Sequence, residues 1–409
     1  MLIADLHIHS RYSRGCSREL SPEVLWKWSQ FKGIDVIGTG DFTHPAWIAE
    51  LQDKLEYDDA GLLKMKSSLP LPEVYPSCRA EVRFLLTAEI SCIYRRHDRT
   101  RKVHLVLLAP DIATALRINA VLSGIGNLAA DGRPILGLDA YRLLEMMLEI
   151  SPRIMVIPAH AWTPHFSVFG AFSGFDTIEE CFADLTPHIR AIETGLSSDP
   201  VMNRRVSALD GIQLISSSDA HSPAKLGREA TMFSVAPRYS DITAAIATGV
   251  GLAGTIEFFP QEGKYYLDGH RDCRICLQPE ETRAYNGRCP TCGRKLTVGV
   301  LHRVEELANR TALEQPNHFP PFESMVPLLE VIASVAGFGT ASKRVQALYF
   351  GLLETVGSEF HILRNASEEA IELASTQAVA TAIINMRKGV VRITPGYDGE
   401  FGKIVPVPA

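Results

Sequence analysis

His7-Ile8-His9 sets two imidazoles at alternate positions, and Asp219-Ala220-His221 repeats the spacing far along the chain. Alternate residues of a strand share a face, so each pair can close on one cation. Imidazole and carboxylate donors together suit zinc, manganese or iron, and magnesium where water completes the shell. Other ligand types fall at or near the ends of apolar runs. Asp41 and His44 follow residues 34–40, Glu89 lies within 83–94, His104 within 103–109, His160 follows 154–158, and Glu193 follows 189–192. The expected ligands of two or three divalent metals (Zn, Mn, Mg or Fe) are therefore His7, His9, Asp41, Glu89, His104, His160, Glu193, Asp219 and His221. Of these, His7, His9, Glu89, Asp219 and His221 are expected at the reacting atoms, and Asp5 behind an imidazole. Singly, each has an ordinary explanation: a satisfied core histidine for His104 or His160, a solvated charge for Glu89, a helix cap for Asp41. The constellation favours a site. Metals held there can activate water and stabilise developing negative charge.

Such a set needs a fold that gathers strand ends on one face, as a parallel barrel does. Up to about residue 259, strand-like runs alternate with helical patterns at 22–31, 138–150, 201–209 and 240–249, which reads as α/β. Only residues 95–102 separate the third and fourth runs, too few for a crossover helix, so a hairpin is expected. It brings Glu89 and His104 toward the same end. Residues 260–300 hold a linker and a second motif, Cys273-Arg-Ile-Cys276 with Cys289-Pro-Thr-Cys292. Two such knuckles predict one structural zinc per chain, held by four thiolates. Residues 301–409 read as a mainly helical domain, with helical spacing at 326–335, 345–355 and 371–386, then a strand pair at 390–394 and 402–406.

The chain has 409 residues and is 46% hydrophobic, enough for one large core with smaller units attached. Its net charge of −6 argues against indiscriminate nucleic-acid binding. No apolar run reaches about 20 residues and no signal peptide precedes the first strand, so a cytoplasmic protein away from membranes is expected. Basic groups collect locally all the same. Arg95, Arg96, Arg99, Arg101 and Lys102 crowd the hairpin tip, and Arg11, Arg14 and Arg18 follow the first strand. Either group suits backbone phosphates. Trp162 opens an aromatic loop directly after His160, which offers a face on which a planar ring could stack, unless it merely packs. Gly337-Phe338-Gly339 followed by Lys343 and Arg344 weakly resembles a helix-hairpin-helix turn for a phosphate, and helix packing explains it equally well.

Asp-Leu-His-Ile-His-Ser, the Thr-Gly-Asp ending at Asp41, Glu89, His104, His160 and Ser-Asp-Ala-His together resemble the polymerase-and-histidinol-phosphatase (PHP) family. That resemblance implies a distorted (β/α)7 barrel with two or three metals and phosphoester hydrolysis. Two departures bear on the metal number. Asp41 is followed by Phe42, with the next histidine at His44, and residues 11–16 hold no acid or histidine. Ile-Pro-Ala-His-Ala-Trp-Thr-Pro, Glu-Thr-Gly-Leu-Ser-Ser-Asp, Leu-Gly-Arg-Glu, the cysteine module and the tail Ile-Thr-Pro-Gly-Tyr-Asp-Gly-Glu-Phe-Gly are similar to the endonuclease Q family over nearly the whole chain. This implies a DNA repair endonuclease that nicks on the 5′ side of hypoxanthine, uracil or an abasic site. Damaged DNA is then the partner, with replication or repair proteins beside it. A small-molecule phosphatase of histidinol-phosphatase type has no need of the cysteine module. A catalytically silent DNA-binding module has no need of the ligand set.

Overall fold

The strand Leu2–Asp5 has partners on both edges, and the ligand-bearing segments are arranged around it. The structure is a computed structural model and describes residues 1–311, 314 and 319–407. Residues 312, 313, 315–318, 408 and 409, part of the expected helical region, lie outside the described residues. Leu2–Asp5 pairs in parallel with Val36–Gly38, which pairs in parallel with Arg83–Arg96. On its other edge it pairs antiparallel with Ala230–Phe233, followed by Leu252–Glu257. Arg83–Arg96 turns back through His97 and Asp98 into Arg99–Ala109, forming the expected hairpin. Both turn residues have positive φ, 51° and 56°, as a tight two-residue hairpin loop requires. Arg99–Ala109 also pairs antiparallel with Met155–Pro158. Ala191–Glu193 and Gln213–Ile215 form a separate parallel pair, and a parallel bridge joins Ile8 to Ala220. The architecture is thus mixed α/β, with a central mixed sheet and a helical C-terminal region.

Helix boundaries follow capping chemistry. Asp139 caps Tyr141 N and opens Ala140–Ile150, which buries Leu143, Leu144 and Met147. The helix expected over 201–209 is instead one turn, Pro200–Asn203, and a 3-10 turn, Ser207–Leu209. The buried Arg204 guanidinium explains this, because it donates to the carbonyls of Leu209 and Ile212 and folds the chain around itself. The expected 371–386 helix is likewise two, Glu368–Ala374 and Gln377–Arg387, the second capped by Thr376 on Val379 N. Among the described residues, no helix is long and apolar enough to cross a membrane.

A buried ion pair fastens the C-terminal helices to the outer helix Pro22–Lys32. Lys32 Nζ lies 2.6 Å from Glu359 Oε2, and Glu359 also accepts from the Tyr349 hydroxyl (2.8 Å) and Leu328 N (3.0 Å). Full hydrogen bonding of this kind keeps a buried charge pair from becoming a liability.

A pair of buried acids has no cation in contact. Glu229 and Glu257 face each other one step beyond the register partners Ala230 and Ile256, and both are fully buried. Glu229 Oε1 accepts from Phe258 N at 3.2 Å, and Glu257 Oε2 accepts from the hydroxyls of Thr194 (2.9 Å) and Ser216 (3.1 Å). One oxygen of each carboxyl has no partner. Burial pushes Glu257 up to about 8 and Glu229 well above its usual range. The folded state therefore holds a proton that the unfolded chain releases above its ordinary value of 4.5. The stabilisation is complete below that value and is lost as pH rises toward 8, by up to about 1.4 kcal/mol per pH unit for each proton. Denaturant midpoints measured between pH 5 and 8 should fall accordingly, and Glu257→Gln should flatten the slope. An unchanged slope in that variant would place the proton on another group.

Candidate metal centre

Three residues in left-handed backbone position the site. Asp41, His160 and Asp219 have φ of 49°, 30° and 46°, a region that costs a non-glycine residue about 1–3 kcal/mol. The cost is met by fixed neighbours. Asp219 N donates to His7 O at 2.8 Å, and His9 N donates to Ala220 O at 3.1 Å. Asp5 accepts from Ser218 N (2.9 Å), Ser218 Oγ (2.6 Å) and Gly227 N (2.9 Å). It thus holds the Asp219 loop rather than an imidazole, and burial pushes its carboxyl up to about 6.

The ligand atoms of His7, His9, Glu89 and Asp219 all lie within 4.8 Å of one another, as do those of Glu89, His104 and His160. Glu89 belongs to both groups. Its Oε2 is 3.4 Å from His9 Nε2 and 3.6 Å from His7 Nε2; its Oε1 is 2.5 Å from His104 Nδ1 and 3.2 Å from His160 Nε2. Each oxygen of one carboxylate therefore faces its own set of imidazoles. His7 Nε2 is buried without a hydrogen-bond partner, which suits a donor aimed at a cation.

The other three expected ligands stand behind these six. Asp41 is saturated by His9 Nδ1 (3.1 Å), Ser10 N (2.6 Å), Ser10 Oγ (2.7 Å) and Ser13 Oγ (2.8 Å). Glu193 takes His7 Nδ1 at 2.8 Å and His160 N at 3.2 Å. Carboxylates in this position fix the tautomer and aim of an imidazole. His221 turns Nδ1 to the Asp219 carbonyl at 2.8 Å and packs its ring on His9. His44 bonds Ala129 O and stacks on Tyr12, away from both groups. Burial disfavours charge on His7 and His9, yet Glu193 and Glu89 around the first and Asp41 beside the second raise both well above the usual range. Burial likewise opposes ionisation of Glu89, but His104 and His7 outweigh it and hold the carboxyl well below its usual range. Burial pushes His104 down to about 4.

Two cations are not among the expected site residues: nothing in its local pattern marks Arg133, and Arg228 enters only as part of Leu-Gly-Arg-Glu. Arg133 reaches Glu89 Oε2 at 3.2 Å from a loop whose Gly132 packs on Asp41 with no room for a Cβ. Arg228 donates to the carbonyls of Ser218 (2.8 Å) and Asp219 (3.2 Å). Of the expected DNA contacts, Arg14 is exposed and loosely paired with Asp131 at 3.4 Å, on a recess shared with His104, His160 and Asp219. Arg99 is exposed at the hairpin tip, while Arg11 is held by Glu50 at 2.6 Å. Arg96 is not free: it forks onto Asp139 and donates to the carbonyls of Glu180 and Cys181, bracing the hairpin. Trp162 is a core residue, 1% exposed, donating to Asn203 Oδ1 at 2.7 Å and packing on Phe169. Lys343 and Arg344 are exposed at the start of Lys343–Thr355, with Arg344 over the Phe338 ring.

A cavity of about 640 Å³ opens beside the ligands. His160, Glu193 and Asp219 line it, as do Tyr265, Tyr266 and Phe401. Lys225, Arg228 and Lys264 also line it.

The second metal group is His270, Cys273, Cys289 and Cys292. Cys276, expected as the fourth ligand, lies outside it on Ile275–Leu277, paired with Gly269. Knuckle geometry explains the exchange. Cys289 and Cys292 flank a turn closed by Cys289 N to Arg294 O, with Gly293 at φ 74°. His270 and Cys273 flank a matching turn, His270 paired with Ile275 and Arg274 at φ 53°. The missed signal was His270-x-x-Cys273, which has the same spacing as Cys289-x-x-Cys292.

The family model described as the MJ0043 C-terminal domain matches residues 327–390. The uncharacterized protein MJ0043 of Methanocaldococcus jannaschii is 34% identical over 254 residues, which take in 60% of this chain and only 31% of that one. The uncharacterized protein YqxK of Bacillus subtilis is 27% identical over 99% of both chains. Among solved structures, the lesion-specific endonuclease PfuEndoQ of Pyrococcus furiosus superposes with a TM-score of 0.85 and 31% identity, over 99% of this chain and 95% of that one. An endonuclease Q in complex with a 27-mer duplex carrying an abasic lesion at the active site gives a TM-score of 0.83 and 30% identity, over 99% and 96%. With identity of 30–31% across nearly the full length of both chains, this chain belongs to the endonuclease Q family.

Proposed function

We propose that the chain is a metal-dependent DNA repair endonuclease, cleaving the phosphodiester on the 5′ side of deaminated bases (hypoxanthine, uracil) or abasic sites. The observation that carries this reading is Glu89, shared between two ligand groups whose members His160 and Asp219 line a cavity within the volume range of ligand sites. The likeness to an endonuclease Q bound to abasic duplex supports the substrate class. In this reading residues 1–259 are a distorted (β/α)7 barrel, supported by the Ile8–Ala220 bridge. Residues 260–300 are a linker and zinc module, and 301–409 a mainly helical domain.

His7, His9, Glu89 and Asp219 would hold one divalent ion and Glu89, His104 and His160 a second. When bound, such a pair supplies a nucleophilic water near neutral pH and neutralises charge at phosphorus. The side chains do the rest. Asp41 and Glu193 fix the imidazoles. Arg14 and Arg133 face the recess where a backbone phosphate would lie. His221, disfavoured as a cation by burial and with Nδ1 donating to the Asp219 carbonyl, would take at Nε2 the proton released by the attacking water and pass it on toward the leaving 3′-oxygen. Duplex DNA hides base edges, so lesion choice requires extrusion, and the cavity walled by Tyr265 and Tyr266 receives the base.

Asp219→Asn should cut nicking of hypoxanthine or abasic duplex by about 100-fold or more with the fold intact by circular dichroism. Full wild-type activity after exhaustive chelation would overturn metal catalysis. A generic phosphomonoester assayed in parallel should be a poor substrate. For the zinc module, His270→Ala and Cys273→Ser should each lose about one zinc per chain, whereas Cys276→Ser should keep it. Zinc loss in Cys276→Ser would restore the four-thiolate set.

A further inference from the structure

Phe401 is the most exposed aromatic side chain among the described residues, at 75%. A phenylalanine in water forgoes the burial that normally shelters it, and this one is held there by a rigid mount. The tail around it is laced to the segment that walls the cavity. Gly396 N donates to Gln261 O (2.8 Å), Gly402 N to Glu262 O (3.0 Å), Gly399 N to Lys264 O (2.8 Å), and Leu267 N to Gly396 O (3.0 Å). Asp398 accepts from Arg271 N and Thr297 Oγ1, both at 2.6 Å. At Gly396 and Gly402 a Cβ would run into neighbouring carbonyl oxygens, so only glycine permits this approach. The ring, although exposed, lines the same cavity as His160, Glu193 and Asp219 and so stands at its rim. Beside the same cavity, His165 stacks on Phe172 with ring centroids 4.7 Å apart. The Lys264 ammonium lies 5.9 Å from the Phe401 ring, which puts positive charge where a phosphate backbone would pass.

We propose that Phe401 is the wedge that fills the gap left in a duplex when the lesion nucleotide is drawn into the cavity. This rests on the endonuclease reading. Extruding a nucleotide unstacks its neighbours, and an inserted apolar side chain restores contact on their faces. An aromatic ring serves any neighbouring sequence, because every base has a π-face. A pre-ordered mount spares the ordering cost at the moment of insertion. The wedge acts on the stack rather than on the lesion, so it should matter for abasic and hypoxanthine sites alike, and only in duplex.

The test compares full-length wild type, Phe401→Ala and Phe401→Leu on each lesion in duplex and in single-stranded DNA. A parallel readout is 2-aminopurine placed next to the lesion, whose fluorescence rises on unstacking. Phe401→Ala should lower the duplex-to-single-strand rate ratio about 5- to 150-fold for both lesions. Phe401→Leu should recover much of it, and the fluorescence rise should shrink in step. An unchanged ratio, or equal loss on both forms of DNA, overturns the wedge while leaving the endonuclease reading in place. A wild type that nicks no lesion overturns both.

Discussion

A carboxylate buried among imidazoles sets the terms for this molecule. Glu89 is 1% exposed, and a lone charge there would be untenable without compensation from its surroundings. The compensation comes from four separate segments: His7 and His9 after the first strand, His104 across the hairpin, His160 beyond the next strand, and Arg133 from a loop. Hairpin register makes the nearest contact available. Glu89 opposes Val106 and Ser91 opposes His104, so Glu89 and His104 sit diagonally on one face. The strained backbone at His160 and Asp219 is explicable in the same terms, since only an over-determined frame holds such residues in place.

Glu229 and Glu257 show the opposite solution. They are as deeply buried, but hydroxyls and a backbone amide surround them instead of imidazoles. Without cationic neighbours in contact, the charge is removed by a proton. One fold therefore keeps one acid system ionised and another neutral a short way apart, and the difference lies in which side chains the neighbouring strands contribute.

Much of this was legible in the sequence. Strand ends, the hairpin and the six gathered ligands follow from apolar runs, a short connection and alternate spacing, all local properties. What was not legible depends on where side chains go after folding. Asp41 reads as a ligand from its place after a strand, and only the fold shows Ser10 and Ser13 on its Oδ2 and His9 on its Oδ1. Trp162 two residues past His160 reads as a stacking platform, but Asn203 claims its N–H inside the core. Arg96 reads as a free phosphate contact, but Asp139 lies across from it. Two overlapping knuckle spacings around Cys273 cannot be ranked without the turn that closes only one of them.

The laced tail has a consequence in time. All six side chains of the two groups that could hold metal precede residue 220, whereas the cavity lining is complete only with Phe401, so a growing chain presents those groups long before the cavity beside them is finished. At roughly 5–20 residues per second the interval is on the order of 10–40 s. During synthesis the chain carries hydrolytic side chains without the structure that couples them to a duplex. A nuclease assembled in that order acquires its reactive groups first and its access to DNA last.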